Sequence, residues 1–252
     1  MRYVRFMNHE KEIGFGFVEG EQVHLLNGSF LDPKSKPIDA WLPLDQVSLL
    51  APVEPHKVVC IGLNYALHIQ ELKHSLPEDP VIFMKPHSSV IGPGSEIVYP
   101  KISKRVDHEA ELAVIIGAII KDATEEEATK AIFGYTCAND VTARDLQMKD
   151  GQWTRGKSFD TFCPIGPWVV TDIDPSKLDI QCLLNGVVKQ SSNTQNFINS
   201  IPKLLSFISQ VMTLLPGDVV LTGTPEGVGP MQPGDEVIVR IESIGELRNY
   251  IK

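Results

Sequence analysis

Two glutamates separated by a single residue precede the longest apolar stretch of the sequence. Glu109 and Glu111 lie in Val106-Asp-His-Glu-Ala-Glu-Leu-Ala-Val-Ile-Ile-Gly, whose apolar continuation favours a β-strand. Residues two apart in a strand face the same side, so both carboxylates would point in one direction. Like charges that close resist joint ionisation, so the pair indicates either a bound cation or a raised pKa. The same spacing also fits two solvent-facing residues on an amphipathic strand.

A third carboxylate could complete a metal site. Asp140 lies in Cys137-Ala-Asn-Asp-Val-Thr-Ala-Arg-Asp, at the end of another stretch with strand character. Hard divalent ions prefer oxygen ligands, and three carboxylates leave coordination positions open for water and substrate. Glu109, Glu111 and Asp140 are therefore the candidate metal ligands.

A histidine and a glutamate three residues apart form a second candidate group. In Gly62-Leu-Asn-Tyr-Ala-Leu-His-Ile-Gln-Glu, an Asn64 that caps a helix would place His68 and Glu71 on one helical face. A carboxylate that orients an imidazole makes the histidine a better general base near neutral pH. The alternative is an ordinary polar helix with both side chains in solvent.

Basic residues and a glycine-rich turn are the remaining candidate functional groups. Lys85, Arg144 and Lys157 could bind a substrate carboxylate or stabilise an enolate beside an acidic metal site, although most lysines in an acidic protein only solubilise its surface. The turn Leu221-Thr-Gly-Thr-Pro-Glu-Gly-Val-Gly offers backbone N–H groups and the Thr224 hydroxyl. The sequence has neither a P-loop nor a G-x-G-x-x-G fingerprint, so we expect no nucleotide cofactor.

Composition narrows the class of protein. The chain has 252 residues and a net charge of −9, from 23 basic and 32 acidic residues, which argues against nucleic acid as a partner. The four cysteines are far apart and form no metal or redox motif, as is typical of buried thiols in a reducing cytoplasm. The apolar stretch Leu112 to Ile120 is too short for a membrane helix, and no signal sequence is evident at the N-terminus. We therefore expect a cytoplasmic protein without a membrane partner.

The elements that must position these residues are mostly strands. Runs rich in β-branched residues and bounded by Gly or Pro are found at Val81–Met84, Glu111–Ile116, Trp168–Val170, 218–222 and Glu236–Ile241. A capping box at Thr124 and Glu127 predicts one helix. Ser200 with Pro202 predicts another, with an apolar face of Ile201, Leu204, Leu205, Ile208, Val211 and Met212. Many short strands with few helices predict a rolled or barrel-like sheet.

A proline-bounded stretch, Ala51-Pro-Val-Glu-Pro, divides the chain near residue 53. It predicts a small N-terminal β domain over residues 1–53 and a larger domain over residues 54–252.

Taken in order, seven segments resemble the fumarylacetoacetate hydrolase family over about residues 55 to 250. They are Gly62-x-Asn-Tyr-x-x-His-x-x-Glu, Met84-Lys-Pro, Asp107-His-Glu-Ala-Glu-Leu, Asn139-Asp-Val-Thr-Ala-Arg-Asp-Leu-Gln, Lys157-Ser-Phe-Asp-Thr-Phe, Cys163-Pro-Ile-Gly-Pro-Trp and Leu221-Thr-Gly-Thr-Pro-x-Gly-Val-Gly. The resemblance implies a β-rich α+β fold with a rolled mixed sheet, a small N-terminal β domain and a homodimer.

The resemblance also assigns roles to the candidate residues. It implies that Glu109, Glu111 and Asp140 bind Mg²⁺ or Mn²⁺, that His68 and Glu71 form a catalytic dyad on a lid, and that Lys157 is the cation beside the metal. It places Arg144 and Gln147 near the substrate and Lys85 and Thr224 on the pocket wall.

The implied substrate is a small 2-oxo acid. Its carboxylate and adjacent carbonyl would chelate the metal, which would act as a Lewis acid for an enolate. We expect C–C hydrolysis of an acylpyruvate or fumarylpyruvate, or decarboxylation of an oxaloacetate-like acid. The alternatives are an isomerase-decarboxylase of aromatic catabolism acting on 2-hydroxyhepta-2,4-diene-1,7-dioate or carboxymethyl-hydroxymuconate, and a catalytically silent member that only binds metal.

Overall fold

The computed structural model describes residues 1–71 and 75–252. Its first ten strands are β1 (Arg2–Met7), β2 (Ile13–Glu19), β3 (Gln22–Leu26), β4 (Pro37–Pro43), β5 (Ser48–Leu49), β6 (Val58–Gly62), β7 (Val81–Lys85), β8 (Val90–Ile91), β9 (Glu96–Ile97) and β10 (Val106–His108). The others are β11 (Ala110–Ile116), β12 (Ile132–Asn139), β13 (Thr142–Ala143), β14 (Cys163–Val170), β15 (Asp179–Leu184), β16 (Val187–Asn193), β17 (Val219–Leu221), β18 (Gly229–Met231), β19 (Glu236–Ile241) and β20 (Gly245–Ile251). The α-helices are α1 (Ala66–Glu71), α2 (Glu125–Lys130), α3 (Arg144–Asp150), α4 (Thr154–Lys157) and α5 (Ile201–Val211).

A long mixed sheet holds most of the strands. Its order is β4-β3-β2-β1-β14-β12-β11-β17-β6-β7, with β5 paired to β1 and β8 paired to β14. Most pairs are antiparallel, whereas β17 with β6 and β14 with β8 are parallel. The path has two free ends, β4 and β7, so the sheet is not a closed barrel. The predicted β-rich α+β fold with a mixed sheet is therefore confirmed, and the barrel-like alternative is not.

Strand β11 lies in the middle of this sheet, between β12 and β17. Leu112, Val114 and Ile116 pack into one apolar core, while Ala113 and Ile115 pack into a second core on the opposite face. A strand covered on both faces needs apolar residues at consecutive positions, which explains why this run does not alternate with polar residues. The amphipathic strand that would expose both glutamates is therefore excluded.

The expectation of one continuous strand through Glu109 is wrong. Strand β10 ends at His108 and belongs to a three-stranded sheet of order β13-β10-β18, whereas β11 begins at Ala110 in the long sheet. Glu109 lies at the junction, where its N–H donates to the Asn139 side-chain oxygen at 2.9 Å. The chain passes from one sheet to another between the two strands.

A five-stranded sheet of order β16-β15-β19-β20-β9 packs against the long sheet. Ile180, Cys182, Val237 and Val239 from this sheet share one apolar core with Leu112 of β11. This contact brings β16 close to the end of β11 that carries the acidic residues.

Both helix predictions are confirmed at their N-termini. The Thr124 hydroxyl accepts from the Glu127 N–H at 3.3 Å, and the Glu127 carboxylate accepts from the Thr124 N–H at 2.9 Å. Ser200 caps α5, whose Ile201, Leu204, Leu205 and Ile208 are buried. Val211, which was predicted on the apolar face of this helix, is the last residue of α5 and is exposed.

The N-terminal region forms β1 to β5 and has a small core of Val4, Phe6, Val18 and Val23. Strand β1 also pairs with β14 of the rest of the chain. The division at residue 53 into two domains stays a prediction. Within the described residues, the structure has no helix long and apolar enough to cross a membrane.

Candidate metal centre and active site

Glu109, Glu111 and Asp140 converge at one point in the structure. Each offers a carboxylate oxygen within 4.8 Å of the others, and all three residues are buried. The antiparallel pairing of β11 with β12 places Ala110 opposite Asn139, and the Asp140 N–H donates to the Glu109 carbonyl at 2.9 Å. This register brings together residues that lie about thirty positions apart in the sequence.

The Glu109 carboxylate is held by two cations. Lys157 Nζ lies 2.8 Å from Glu109 Oε2, and the Arg144 guanidinium forms an ion pair with Oε1. Burial alone would raise the pKa of Glu109, but Lys157 and Arg144 outweigh it and lower the pKa. Arg144 is itself held by Asp107, at 2.9 Å from Nε, and donates to Gln147 at 2.7 Å. Glu109 is therefore ionised and fixed in position.

Glu111 has a different environment. Its Oε2 accepts a hydrogen bond from the Gly223 N–H at 2.7 Å, and none of the ion pairs described in the structure involves its carboxylate. Burial raises the pKa of Glu111 well above its usual value, and the neighbouring charges of Asp140 and Glu109 raise it further. A cation at this point would stabilise the ionised carboxylate.

Asp140 lies between two lysines. Lys157 Nζ is 2.7 Å from Oδ2, and Lys85 Nζ is 2.7 Å from Oδ1. Burial alone would lower the pKa of Lys157, but Asp140 and Glu109 raise it, so this lysine is charged. The Lys85 contact is close but lacks the alignment of a hydrogen bond, so Oδ1 has no aligned donor among the described residues.

Lys85 does not line the pocket, which corrects the expectation from the resemblance. Its ammonium group donates to the carbonyls of Val141, Lys157 and Phe162 at 3.0, 2.6 and 2.8 Å. Strand β7 lies at the edge of the long sheet and directs this side chain beneath Asp140, where it is fully buried. Lys85 therefore contacts the Asp140 carboxylate without facing the cavity.

The donor set fits a hard divalent cation. It provides three buried carboxylates, of which Glu111 has no cationic partner among the described residues and Asp140 has an oxygen without an aligned donor. Oxygen ligands of this kind suit Mg²⁺ or Mn²⁺, and the absence of Cys or His from the trio argues against a zinc-type site.

A cavity of about 390 Å³ opens above the carboxylates. One part of its wall is apolar, with Ile61, Leu63, Phe83, Met148 and Trp153. The polar part contains His68, Glu109, Glu111, Asp140, Arg144, Gln147, Lys157 and Thr224. The structure therefore brings eight predicted site residues to one cavity, whereas the buried Lys85 and the exposed Glu71 do not line it.

His68 and Glu71 form the predicted pair on α1. His68 Nδ1 lies 3.2 Å from Glu71 Oε2, and the Gly227 N–H contacts both Glu71 oxygens at 3.1 Å. Burial lowers the pKa of His68, and the opposing effects of Glu109 and Glu71 do not restore it. His68 is thus neutral at pH 7 and can accept a proton.

Asn64 has another role than the predicted helix cap. Its side-chain amide donates to the carbonyls of Asn199 and Thr222 at 3.2 and 2.9 Å, and its oxygen accepts from the Asn199 N–H at 2.9 Å. These tertiary contacts engage the donor and acceptor groups of the side chain. Asn64 therefore joins the start of α1 to the segment before α5 and to the glycine-rich turn.

Two contacts in the site could not be read from the sequence. Gln190 of β16 contacts Thr224 Oγ1 at 2.8 Å, and the Gly223 N–H holds Glu111. Gln190 lies in the polar stretch Val188-Lys-Gln-Ser-Ser-Asn, which gives no sign of a buried role. The glycine-rich turn predicts available N–H groups, but only the fold shows that one of them meets a carboxylate.

Comparison with known proteins decides the family. Residues 57–252 match the domain described as Fumarylacetoacetate (FAA) hydrolase C-terminal. The chain belongs to the fumarylacetoacetate hydrolase family. Residues 1–52 match a domain described as Rv2993c-like, N-terminal. The resemblance inferred from the seven segments is thereby confirmed.

Members of the fumarylacetoacetate hydrolase family with different named activities are similar to this chain. Oxaloacetate tautomerase Fahd2a, mitochondrial, from Rattus norvegicus is 46% identical over 83% of this chain and 71% of the relative. The structure of 2-hydroxyhepta-2,4-diene-1,7-dioate isomerase from Mycobacterium marinum is 43% identical, with a TM-score of 0.92 over 100% of this chain and 98% of the other. Maleylpyruvate hydrolase from Sphingobium sp. SYK-6, solved with manganese (II) ion and pyruvate, is 32% identical, with a TM-score of 0.83 over 100% of this chain and 98% of the other.

Proposed function

We propose that this protein is a Mg²⁺- or Mn²⁺-dependent enzyme that cleaves C–C bonds in small 2-oxo carboxylic acids, by hydrolysis of acylpyruvate-type substrates or decarboxylation of oxaloacetate-type substrates. The observation that carries the proposal is one cavity with a three-carboxylate cluster on its floor and a neutral histidine in its wall. The relative solved with manganese and pyruvate supports both the ion and the class of ligand.

The metal would be held by Glu109, Glu111 and Asp140. When bound, it supplies Lewis-acid polarisation of a 2-oxo acid's carbonyl and carboxylate oxygens. Lys157 and Arg144 keep Glu109 ionised, and Lys157 places a positive charge within the same cavity. Developing negative charge on the substrate oxygen is stabilised by a fixed ammonium group in a site shielded from water.

His68 is the proposed general base. Glu71 holds its Nδ1, which leaves Nε2 available to take a proton from a water molecule that attacks the distal carbonyl of the substrate. Decarboxylation needs no such water and would depend on the cations alone. Hydrolysis therefore depends on His68 more strongly than decarboxylation does.

Proton transfer without bond cleavage is the second candidate. The tautomerase and isomerase relatives support it, and His68 could move a proton between carbon and oxygen from the same position.

The small substrate, the homodimer and the cytoplasmic location remain predictions. Sedimentation velocity with and without Mg²⁺ tests the dimer.

A side-by-side assay separates these reactions. Oxaloacetate, acetylpyruvate, fumarylpyruvate, maleylpyruvate and 2-hydroxyhepta-2,4-diene-1,7-dioate are incubated with the protein and Mg²⁺ or Mn²⁺, and the products are resolved as cleaved acids, CO₂ or isomers. We expect pyruvate from an acylpyruvate, with hydrolysis lost by about 10² or more in His68→Gln. The exposed His9→Gln is the matched control. Isomer formation without cleavage would support the second candidate, and no metal-dependent turnover of any substrate would contradict the proposal.

A further inference from the structure

The apolar wall of the cavity, formed by Ile61, Leu63, Phe83, Met148 and Trp153, has no part in the candidate metal centre. Two of these side chains form an aromatic pair. The ring centroids of Phe83 and Trp153 are 5.1 Å apart, and the ring planes meet at 72°. An edge-to-face pair of this kind stabilises the position of both rings. The apolar wall therefore has a defined shape at its aromatic part.

A glycine makes room for the indole of Trp153. A Cβ atom at Gly62 would lie 2.6 Å from Trp153 Cζ3, so any other residue at this position would collide with the ring. Gly62 is the last residue of β6, whereas Trp153 lies between α3 and α4. The half-buried indole therefore packs directly on the backbone of β6 and still lines the cavity.

The backbone of Leu63 is strained. Its φ of +60° lies in the left-handed region, which residues other than Gly, Asn and Asp rarely adopt. The half-buried side chain belongs to none of the apolar cores of the described residues, so core packing does not account for this conformation. Strain of this kind at a cavity wall indicates a role in the site.

The apolar wall begins next to the metal centre. Lys157 Nζ lies 5.0 Å from the centroid of the Phe83 ring, and the same ammonium group contacts Glu109 and Asp140. A 2-oxo acid bound to the metal through its carboxylate and 2-oxo oxygens would have only the rest of its chain left to contact this wall. The two cations that line the cavity among the described residues, Arg144 and Lys157, already form ion pairs with Glu109.

We infer that the apolar wall selects the distal substituent of the substrate, with Leu63 and Trp153 as specificity-determining residues, so that the preferred substrates are acylpyruvates with an uncharged, apolar acyl group. The inference rests on the proposed function, because the metal must hold the other end of the substrate. An apolar acyl group leaves water on contact with these side chains, which favours binding. A distal carboxylate at the same place would lose hydration without gaining a charged partner from the wall.

Three chelating 2-oxo acids that lack the 4-oxo group needed for C–C hydrolysis test this selectivity. Pyruvate, 2-oxohexanoate and 2-oxoadipate share the chelating end. The last two have equal numbers of carbon atoms, but 2-oxohexanoate ends in a methyl group and 2-oxoadipate in a carboxylate at pH 7.5. Dissociation constants are measured by calorimetry at saturating Mn²⁺, and Mn²⁺ affinity is measured separately by electron paramagnetic resonance. We expect the parent protein to bind 2-oxohexanoate about tenfold more tightly than pyruvate, and 2-oxoadipate no more tightly than pyruvate.

Two variants assign this preference to the apolar wall. Trp153→Ala should reduce the preference for 2-oxohexanoate over pyruvate about fivefold, because a large apolar surface is removed. Trp41→Ala is the matched control, since Trp41 is an exposed tryptophan on β4 that does not line the cavity, and it should keep the parent ratio. Leu63→Asn should also reduce the preference, and asparagine tolerates the left-handed backbone, so this variant changes the side chain alone.

The inference and the proposed function fail in different ways. If the parent binds 2-oxoadipate more tightly than 2-oxohexanoate, or if Trp153→Ala and Leu63→Asn keep the parent ratio, the inference is overturned and the proposed function stands. If the parent binds no 2-oxo acid in the presence of Mn²⁺, both fail. If Trp153→Ala does not fold, Leu63→Asn decides: the parent ratio overturns the inference, and a reduced ratio supports it.

Discussion

The ammonium group of Lys85 lies 2.7 Å from Asp140 Oδ1, and both side chains are shielded from solvent. Three backbone carbonyls complete the surroundings of the lysine. This pair connects the edge strand β7 to the candidate metal centre, although the lysine does not face the cavity.

Replacing Lys85 should destabilise the protein strongly. Lys85→Met removes one of the two buried lysines beside Asp140 and the ammonium group that donates to three carbonyls, and we expect a loss of about 3–5 kcal/mol in the free energy of unfolding. Urea unfolding followed by circular dichroism measures it. The exposed Lys101→Met should change stability by no more than about 0.5 kcal/mol. Equal stability of the two variants would show that the buried pair contributes little.

Glu111→Gln should weaken metal binding while preserving the fold. Glu111 accepts from the Gly223 N–H and pairs with no cation in the structure's described part, so an amide at this position leaves no buried lysine or arginine unpaired. We expect Mn²⁺ affinity to fall by about tenfold or more, measured by electron paramagnetic resonance, because one anionic ligand is lost. Glu125→Gln, on the exposed face of α2, is the control. Unchanged affinity would remove Glu111 from the metal centre.

The acid limb of the activity profile should lie below pH 6.5. Burial lowers the pKa of His68, so the base form persists through neutral pH and is lost only when the pH falls below that lowered value. Glu71 opposes this lowering of the His68 pKa, so Glu71→Gln should move the acid limb of the pH profile of kcat/KM to still lower pH. The substitution should also reduce kcat, because the imidazole of His68 is held less firmly. The exposed Glu78→Gln should reproduce the parent profile. A limb that moves to higher pH in Glu71→Gln would contradict the assignment.

Alanine substitutions at two glycines with similar φ angles distinguish the cost of a steric clash from the cost of a left-handed backbone conformation. Gly227 and Gly234 have φ of +91° and +95°, and a methyl group at Gly227 would lie 2.3 Å from the Lys189 carbonyl, whereas one at Gly234 meets nothing within 4 Å. Gly234→Ala should cost about 1–2 kcal/mol through the left-handed backbone alone. Gly227→Ala should cost at least about 1 kcal/mol more, because the turn must move away from β16.

Activity provides the second readout for this pair. The Gly227 N–H holds Glu71, and the same turn carries Thr224, so displacement of the turn should lower kcat/KM in Gly227→Ala at temperatures where the variant is folded. Gly234→Ala should retain the parent kcat/KM. Equal kinetics in both variants would show that the turn tolerates displacement without effect on the site.

Local patterns determined several features of this protein. The capping residues Thr124 and Ser200 start helices because their hydroxyls reach N–H groups only three residues away. Runs of β-branched residues form strands for equally local reasons, and the ordered series of segments identified the family. The spacing of Glu109 and Glu111 made them candidate metal ligands, but that spacing fits an exposed amphipathic strand equally well, and only the series of segments favoured the metal.

Tertiary structure alone decided how these residues meet. The register of β11 with β12 brings Asp140 to Glu109, and Lys85 turns beneath the carboxylates because of where β7 lies in the sheet. Gln190 is 80 residues from Ala110 and acts through contacts between two sheets. Pairing across such separations depends on the packing of the whole chain, so neither spacing nor residue type could specify it.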